Sequence, residues 1–467
     1  MVWILIAYFT AIWLVTRRMD ASNEAFFRGG RQSSWLMVAY GMVGASLSGV
    51  SFVSVPGMVG ATDMTYLQTC MGFILGYVIV AFVLLPLYYR LNLTSIYSLL
   101  QQRLGDGAHN VGAWFFIISD MAGSAVKFFL VCAILQQFVF SDLGIPFAAT
   151  VPLLIGCIWL YTRRGGIRAL VLTDVLQTTC MLVTLCLIIW AVASEPGVSL
   201  ENMSHTRVFE FGDWSSKQHF AKQFISGAFI VVVMTGLNQN MMQKNLTCRT
   251  LKDAQKDMCL SGVLFVPVNA LFLILGALLL QLNLPATGDG VLPAFVQHVS
   301  HTPMGAVVMA LFVLGIVSAT FSTADSSLTA LTTSFCVDIA KQPDNARLRR
   351  ITHIAMAAVL VALVYLLRCT GSQSLIDLVY TLVSYTYGPL LGLFALAVTT
   401  RKTSRALPSL VVAAVCVASP ILCYVLAQFV PMGYELLLLN GAITFAGLKL
   451  AKLIFLGCGS GKSGNFV

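Results

Sequence analysis

Long apolar runs separated by short polar connections fill almost the whole chain. A helix rises about 1.5 Å per residue, so crossing roughly 30 Å of hydrocarbon takes about 20 mainly apolar residues. On that measure the pattern predicts thirteen spans, at about 2–16, 36–61, 71–91, 111–139, 147–162, 169–194, 219–241, 258–282, 304–336, 351–367, 374–399, 407–428 and 434–456. Barrel strands would alternate apolar and polar positions over about ten residues, whereas these runs are uninterrupted, which predicts helices.

Two of the runs are broken in a similar manner. The second, SWLMVAYGMVGASLSGVSFVSVPGMVGA, carries Gly41, Gly44, Gly49, Pro56 and Gly57. The seventh, FISGAFIVVVMTGLNQNMMQKNL, carries Gly227 and Gly236, then the amides Asn238, Gln239 and Gln243. Small residues at spacings of three or four also let unbroken helices pack closely. In corresponding places of two halves, however, such interruptions point to discontinuous helices around a midplane site. The two runs lie five spans apart, and an odd offset inverts the second copy. The expected fold is therefore all-α and polytopic. Residues 1–467 read as one transmembrane domain: 36–194 and 219–399 as inverted repeats, 2–16 as one extra helix in front and 407–456 as two behind.

The ninth span departs furthest from an apolar pattern. In LGIVSATFSTADSSLTALTTS, residues 314–334, ten of the twenty-one positions are Ser or Thr and one is Asp325. On a helix, Ala319, Ser322, Thr323 and Ser326 share one stripe, with Asp325 beside it. Isolated hydroxyls in membrane helices bond back to the preceding turn or across to a neighbour. Ten in one span exceed that use, and an intramembrane carboxylate is costly unless it serves a site. A small hard cation takes several oxygen ligands, and hydroxyls and carbonyls supply them without excess charge. Sodium is the natural candidate.

Composition agrees with the pattern: 58% of residues are hydrophobic and 10% charged, with a mean hydropathy of +0.85. With the N-terminus outside, 23 of the 28 basic residues fall on the inner side, among them Arg17, Arg18, Arg163, Arg164, Arg168, Lys244, Arg249, Arg347, Arg349, Arg350, Arg401 and Lys402. Arg207, Lys217, Lys222 and Arg368 fall outside and Lys127 within a span, so the bias places the C-terminus in the cytoplasm. A formal charge of +9 then reflects the inner leaflet and calls for no nucleic acid. The twelve Cys include no CxxC pair and read as small core residues. Residues 2–16 precede their basic pair instead of following one, which favours an uncleaved anchor over a signal peptide. A loop at about 195–218 and a polar tail, 457–467, complete the chain.

The chain resembles the sodium/solute symporter family from about residue 3 to residue 400. The resemblance rests on FFRGGRQSSW, GMVGASLSGVSFVSVPG, RRGGIRALVLTDVLQ, MTGLNQNMMQKNL, SATFSTADSSLTAL and SYTYGPLLGLFAL, in that order. It implies a leucine-transporter-like 5+5 inverted-repeat core that couples inward sodium flow to solute uptake in the cell membrane. Carried onto matching positions, the principal sodium site would use Gly44 and Leu47 in the second span with Ala319, Ser322 and Thr323 in the ninth. Some members hold a second sodium on an Asp of the sixth span, here Asp174, with Ser322 and Ser326 as partners. Asp325 stands where some of those members have a hydroxyl. Without an ion, Asp174 would pair with Arg168 or Arg164.

The resemblance also places solute beside the breaks, near Ser48, Ser51, Ser54, Gln68, Thr69, Thr235, Asn238, Gln239, Tyr385 and Tyr387. Lys127 lies mid-span with Ser124 and Asp120, and a buried ammonium needs an anion. It either joins a structural ion pair or, as in similar sialic-acid carriers, meets a substrate carboxylate. The expected partners are a small, plausibly anionic solute and the lipid bilayer, with no nucleic acid and no obligate protein partner. A sodium-independent uniporter and a non-transporting sensor are the alternatives. An enzyme is not expected, since no HExxH, GxSxG or P-loop pattern is present.

Overall fold

The computed structural model describes residues 2–17, 22–369, 375–400, 407–430 and 432–457, apart from the side chains of residues 164–165, 204–205, 375–380 and 455–457. Arg18, Arg401, Lys402, the Arg164 side chain and the tail beyond residue 457 lie outside the described residues. The chain is helical throughout, from α1 (Val2–Thr16) to α15 (Leu436–Gly457). Between these lie α2 (Trp35–Ser46), α3 (Gly49–Thr62), α4 (Tyr66–Arg90), α5 (Asp106–Phe140), α6 (Phe147–Arg163), α7 (Gly166–Ala193), α8 (Phe220–Gly236) and α9 (Gln239–Asn245). Then follow α10 (Leu251–Leu280), α11 (Gly305–Ile339), α12 (Ala346–Arg368), α13 (Leu375–Thr399) and α14 (Ser409–Ala427).

Among the described residues, nine helices are long and apolar enough to cross a membrane, or eleven when the bent pairs α2–α3 and α8–α9 each count as one span. The helices α1 and α6 are apolar but shorter. Large apolar side chains such as Trp190, Leu410, Ile421 and Leu453 remain exposed on the outer faces, where lipid takes the place of a protein core. The molecule is an all-α polytopic membrane protein.

Both sequence interruptions are breaks in the structure. The axes of α2 and α3 bend by 59° and those of α8 and α9 by 71°. At the first break Leu47 is extended, with φ −89° and ψ 134°, and Ser48 and Ser51 close a reciprocal capping box on the new helix. At the second, a π-turn over Val232–Gly236 ends α8, and the Asn238 side chain caps α9 by accepting from the Asn240 amide at 2.8 Å. A further turn joins α6 to α7 at Gly166, whose φ is +47°. A Cβ there would stand 2.5 Å from the Phe26 backbone, so both conformation and packing require glycine.

The polar helix α11 occupies the middle of the bundle. Every residue from Gly315 to Ser334 is buried. Its hydroxyls therefore meet protein on all sides instead of lipid, which lets one helix reach both breaks.

Candidate functional site

Thr323 on α11 faces the first break. Its Oγ1 lies 3.3 Å from the carbonyls of Ala45, Leu47 and Ala319 alike. One hydroxyl proton cannot satisfy three acceptors, so three oxygen atoms converge with lone pairs to spare. The Gly49 amide, which an unbroken helix would direct to Ala45, donates instead to Thr320 Oγ1 at 3.1 Å. The break thus frees carbonyls on one side and is capped by α11 on the other. Gly44 sits one residue before this point, and a Cβ on it would fall 2.0 Å from the Thr178 hydroxyl. That hydroxyl is buried with no hydrogen-bond partner.

The second break meets α11 further along. Asn240 donates to Ser327 Oγ at 3.2 Å, and Gln243 donates to Thr333 Oγ1 at 3.0 Å. Ser327 in turn hydrogen-bonds Ser124 at 2.6 Å and donates to Asp120. Asn238 donates to the Tyr387 hydroxyl at 2.9 Å and approaches Asp120 at 3.4 Å. Asp120, Asn238 and Tyr387 therefore form one buried group against the centre of α11. Lys127 makes no hydrogen bond or ion pair among the described residues, and Asp120 takes its hydrogen bonds from Ser327 and Asn238.

Asp174 on α7 is buried, with Ser322 Oγ donating to its Oδ1 at 2.6 Å. Its other oxygen meets Lys244 Nζ at 2.7 Å, both side chains being 1% exposed. Of the expected partners, the Arg164 side chain lies outside the described residues, and Lys244 stands in the place expected for Arg168, because the 71° bend turns α9 back into the bundle. Beside this pair, Asp325 accepts from Tyr161 at 2.8 Å and from Ser326 at 3.1 Å. Ser326 also donates to the Ser322 carbonyl at 2.7 Å.

The candidate solute residues separate into three places. Ser54 and Tyr385 line a cavity of about 910 Å³ whose walls include Tyr66, Gln218 and Asp289. Asn238 and Tyr387 belong to the central group, and Thr235 is buried in the π-turn just before it. The others serve as fasteners: Ser48 and Ser51 cap α3, Gln68 binds the Gln218 carbonyl and the Glu210 amide, and Thr69 donates to Gln223. Gln239 holds the Thr94 carbonyl and the Ile96 amide at 3.0 and 2.9 Å. Lys127 is not among the residues lining the cavity.

Two members of these clusters escape a reading by span. Lys244 counts as an inner-loop cation until α9 folds inward, although the polar run NQNMMQK already sets it apart from a solvated loop. Asp120 has a place on the helical face of Ser124, but its partners come from the break before α9 and from α11.

Known proteins resemble this chain in sequence and in fold. The chain is 28% identical over 436 residues to the sodium/sialic acid symporter of Aliivibrio fischeri, covering 86% of this chain and 83% of that protein. It is 27% identical over 418 residues to the human sodium/iodide cotransporter, covering 82% of this chain and 62% of the relative. It is 26% identical over 344 residues to the human sodium-coupled monocarboxylate transporter 2, covering 70% and 54%. The chain thus spans a little over half the length of these two human relatives. Its fold superposes on a substrate-bound, outward-open sodium-coupled sialic acid symporter with a TM-score of 0.78 at 20% identity, covering 96% of this chain and 97% of the other. A nucleobase-cation-symport-1 family transporter in a closed conformation gives 0.65 at 12% identity, covering 93% and 95%. The pattern of one transport family runs through both breaks and the whole of α11, from residue 26 to residue 410, and the chain belongs to it: the sodium:solute symporter family.

Proposed function

We propose that the chain is a sodium-coupled symporter that uses the inward sodium gradient to take up a small organic anion across the cell membrane. The observation that carries this reading is the convergence of the Ala45, Leu47 and Ala319 carbonyls on Thr323 at the first break. Carbonyl and hydroxyl oxygens held at a helix break suit a dehydrated monovalent cation, because they replace water without a fixed charge that would trap it. Leu47, Ala319, Ser322 and Thr323, with Gly44 beside them, form the proposed sodium site.

The reading extends to thirteen spans in one domain, residues 1–467. Residues 36–194 and 219–399 serve as a leucine-transporter-like pair of inverted repeats, with the N-terminus outside. Support comes from the two bent pairs, five predicted spans apart, and from the excess of Lys and Arg on one set of connections. The short helices α1 and α6 complete the count, each lying against longer neighbours.

An anionic solute is favoured by two independent points. The named cargoes of the three relatives, sialic acid, iodide and monocarboxylates, are all anions. In addition, Lys127 makes no hydrogen bond or close ion pair among the described residues and feels Asp120 only at longer range, so an ammonium at that depth gains from an incoming carboxylate. The 910 Å³ cavity is the route we assign to entry, with Ser54 and Tyr385 at its wall. No nucleic acid and no obligate protein partner enter the scheme.

Uptake of labelled sialic acid and short carboxylates into proteoliposomes tests it. Accumulation driven by an inward sodium gradient, and not by potassium or choline, is the expected result. Equal uptake in all three salts contradicts coupling.

A further inference from the structure

The two helices that follow the repeats hold one turn of α13. Pro389 stands inside that helix, and a proline has no amide hydrogen to give the carbonyl four residues back, which here is Tyr385. At a helix contact within the bilayer no water stands in for it, so protein has to supply the donor. Asn440 on α15 does so: its Nδ2 donates to the Tyr385 carbonyl at 3.1 Å and to the Ser384 carbonyl at 2.9 Å. Ser419 on α14 donates to Asn440 Oδ1 and lies 2.9 Å from the Asn440 backbone carbonyl. Both hydrogens and the oxygen of the amide are engaged, at a residue that is 0% exposed.

Asn440 reaches the turn because the two backbones approach closely. A Cβ on Gly388 would stand 2.3 Å from Asn440 Cγ, one on Gly392 2.5 Å from Thr444 Cβ, and one on Gly441 2.7 Å from Leu391 Cδ2. Glycines at this spacing make the seam between α13 and α15. An apolar side chain of the same size would fill that seam equally well, and a buried amide is costly unless it is fully paired. Packing alone therefore gives no reason for an Asn here, whereas the carbonyl at the proline does.

The turn so held faces the proposed solute route on its other side. Ser384 and Tyr385 line the 910 Å³ cavity, and the Tyr387 hydroxyl accepts from Asn238 at the second break, at 2.9 Å. Without the Asn440 amide the freed carbonyl has no donor, and the helix is left to move at its proline. The side chains of Tyr385 and Tyr387 would register that movement first.

We infer that Asn440, which lies outside both repeats, is a positioning residue for solute: by taking the carbonyl that Pro389 frees, it sets the turn of α13 that presents Tyr385 to the cavity and Tyr387 to the second break. The solute part of the inference rests on the anion symport proposed above. It gives α14 and α15 a role beyond the repeats, as a brace for a helix that reaches the solute route.

Fluorine NMR of full-length protein carrying fluorotyrosine tests the positioning directly, with the two resonances assigned by their loss in Tyr385→Phe and Tyr387→Phe. Asn440→Leu is expected to shift or split both resonances and to lower the unfolding midpoint. In proteoliposomes it should raise KM about tenfold for sodium-driven uptake of labelled sialic acid or lactate, whichever the wild type accumulates, as the loss of one hydrogen bond would. Pro389→Ala returns an amide hydrogen to the Tyr385 carbonyl. In that background the same Asn440→Leu change should leave resonances, midpoint and KM close to those of Pro389→Ala alone, and the double variant decides the matter even if Asn440→Leu by itself does not fold. Tyrosine resonances that do not move in Asn440→Leu, or losses of equal size in both backgrounds, overturn the assignment and leave Asn440 as filling for the seam. A wild type that accumulates neither solute instead removes the anion-symport reading, while the resonances still decide the positioning.

Discussion

The Thr323 hydroxyl and the Leu47 carbonyl lie 3.3 Å apart, across the gap between a continuous helix and a broken one. Separated by 276 residues, they are joined by the geometry a cation needs: a helix that stops, and a neighbour whose hydroxyl faces the stop. Removing the hydroxyl takes one ligand from the ion and leaves the break intact. Thr323→Ala is expected to weaken sodium affinity about tenfold, the equivalent of about 1.4 kcal/mol and within the range for one hydrogen-bonding or ligating group. Thr323→Ser should retain most of it. Sodium-dependent thermal shifts of the two variants check the difference.

Close approach of α2 to α7 sets a second expectation. A methyl on Gly44 would meet the Thr178 hydroxyl at 2.0 Å, so Gly44→Ala overpacks the wall of the sodium site. A loss of about 1–3 kcal/mol in stability follows. Thr178→Ala in the same chain should recover part of it, because the second change removes the atom that clashes. Unfolding midpoints of the two single variants and the double variant measure the recovery.

The buried pair Lys244 and Asp174 predicts strong coupling. Breaking it from one side leaves an isolated charge, which costs about 3–5 kcal/mol. Lys244→Met and Asp174→Asn should each destabilise the protein by an amount of that order. The double variant should cost clearly less than their sum, giving a coupling well above the ~0.5 kcal/mol expected for independent sites. Additive losses would mean that the two side chains do not act as a pair.

Lys127 should matter for the solute and not for sodium. Lys127→Met is expected to raise KM for an anionic solute about tenfold or more, since a charge-assisted contact contributes about 1.5–3 kcal/mol. Sodium affinity should be unchanged, as α5 supplies none of the proposed ligands. Equal KM in the variant would make Lys127 a structural residue.

How far the site was legible in the sequence follows from what is local and what is not. The two breaks and the hydroxyl stripe of the ninth span are written in short segments, through glycine, amide and Ser/Thr positions whose meaning depends on helical spacing alone. Ser322, Thr323 and Ala319 could be grouped for that reason. Ser48 and Ser51 look equally suited to bind solute until the break turns them into a cap. Gln68, Thr69 and Gln239 are polar near the breaks, yet their partners Gln218, Gln223 and Thr94 lie in connections or at the start of another helix, which no period along the chain brings close. Lys244 fails for the clearest reason. Counting basic residues by loop assigns it to the inner surface, and only the 71° bend carries it to Asp174.

The central claim is that the first break and Thr323 hold the coupling ion. The most direct measurement is equilibrium sodium binding to purified wild type and Thr323→Ala, with potassium and choline as controls. Sodium coupling through this site predicts saturable, sodium-selective binding in wild type and about tenfold weaker binding of one ion per chain in the variant. Identical sodium binding by the two proteins would contradict it and place the coupling ion elsewhere.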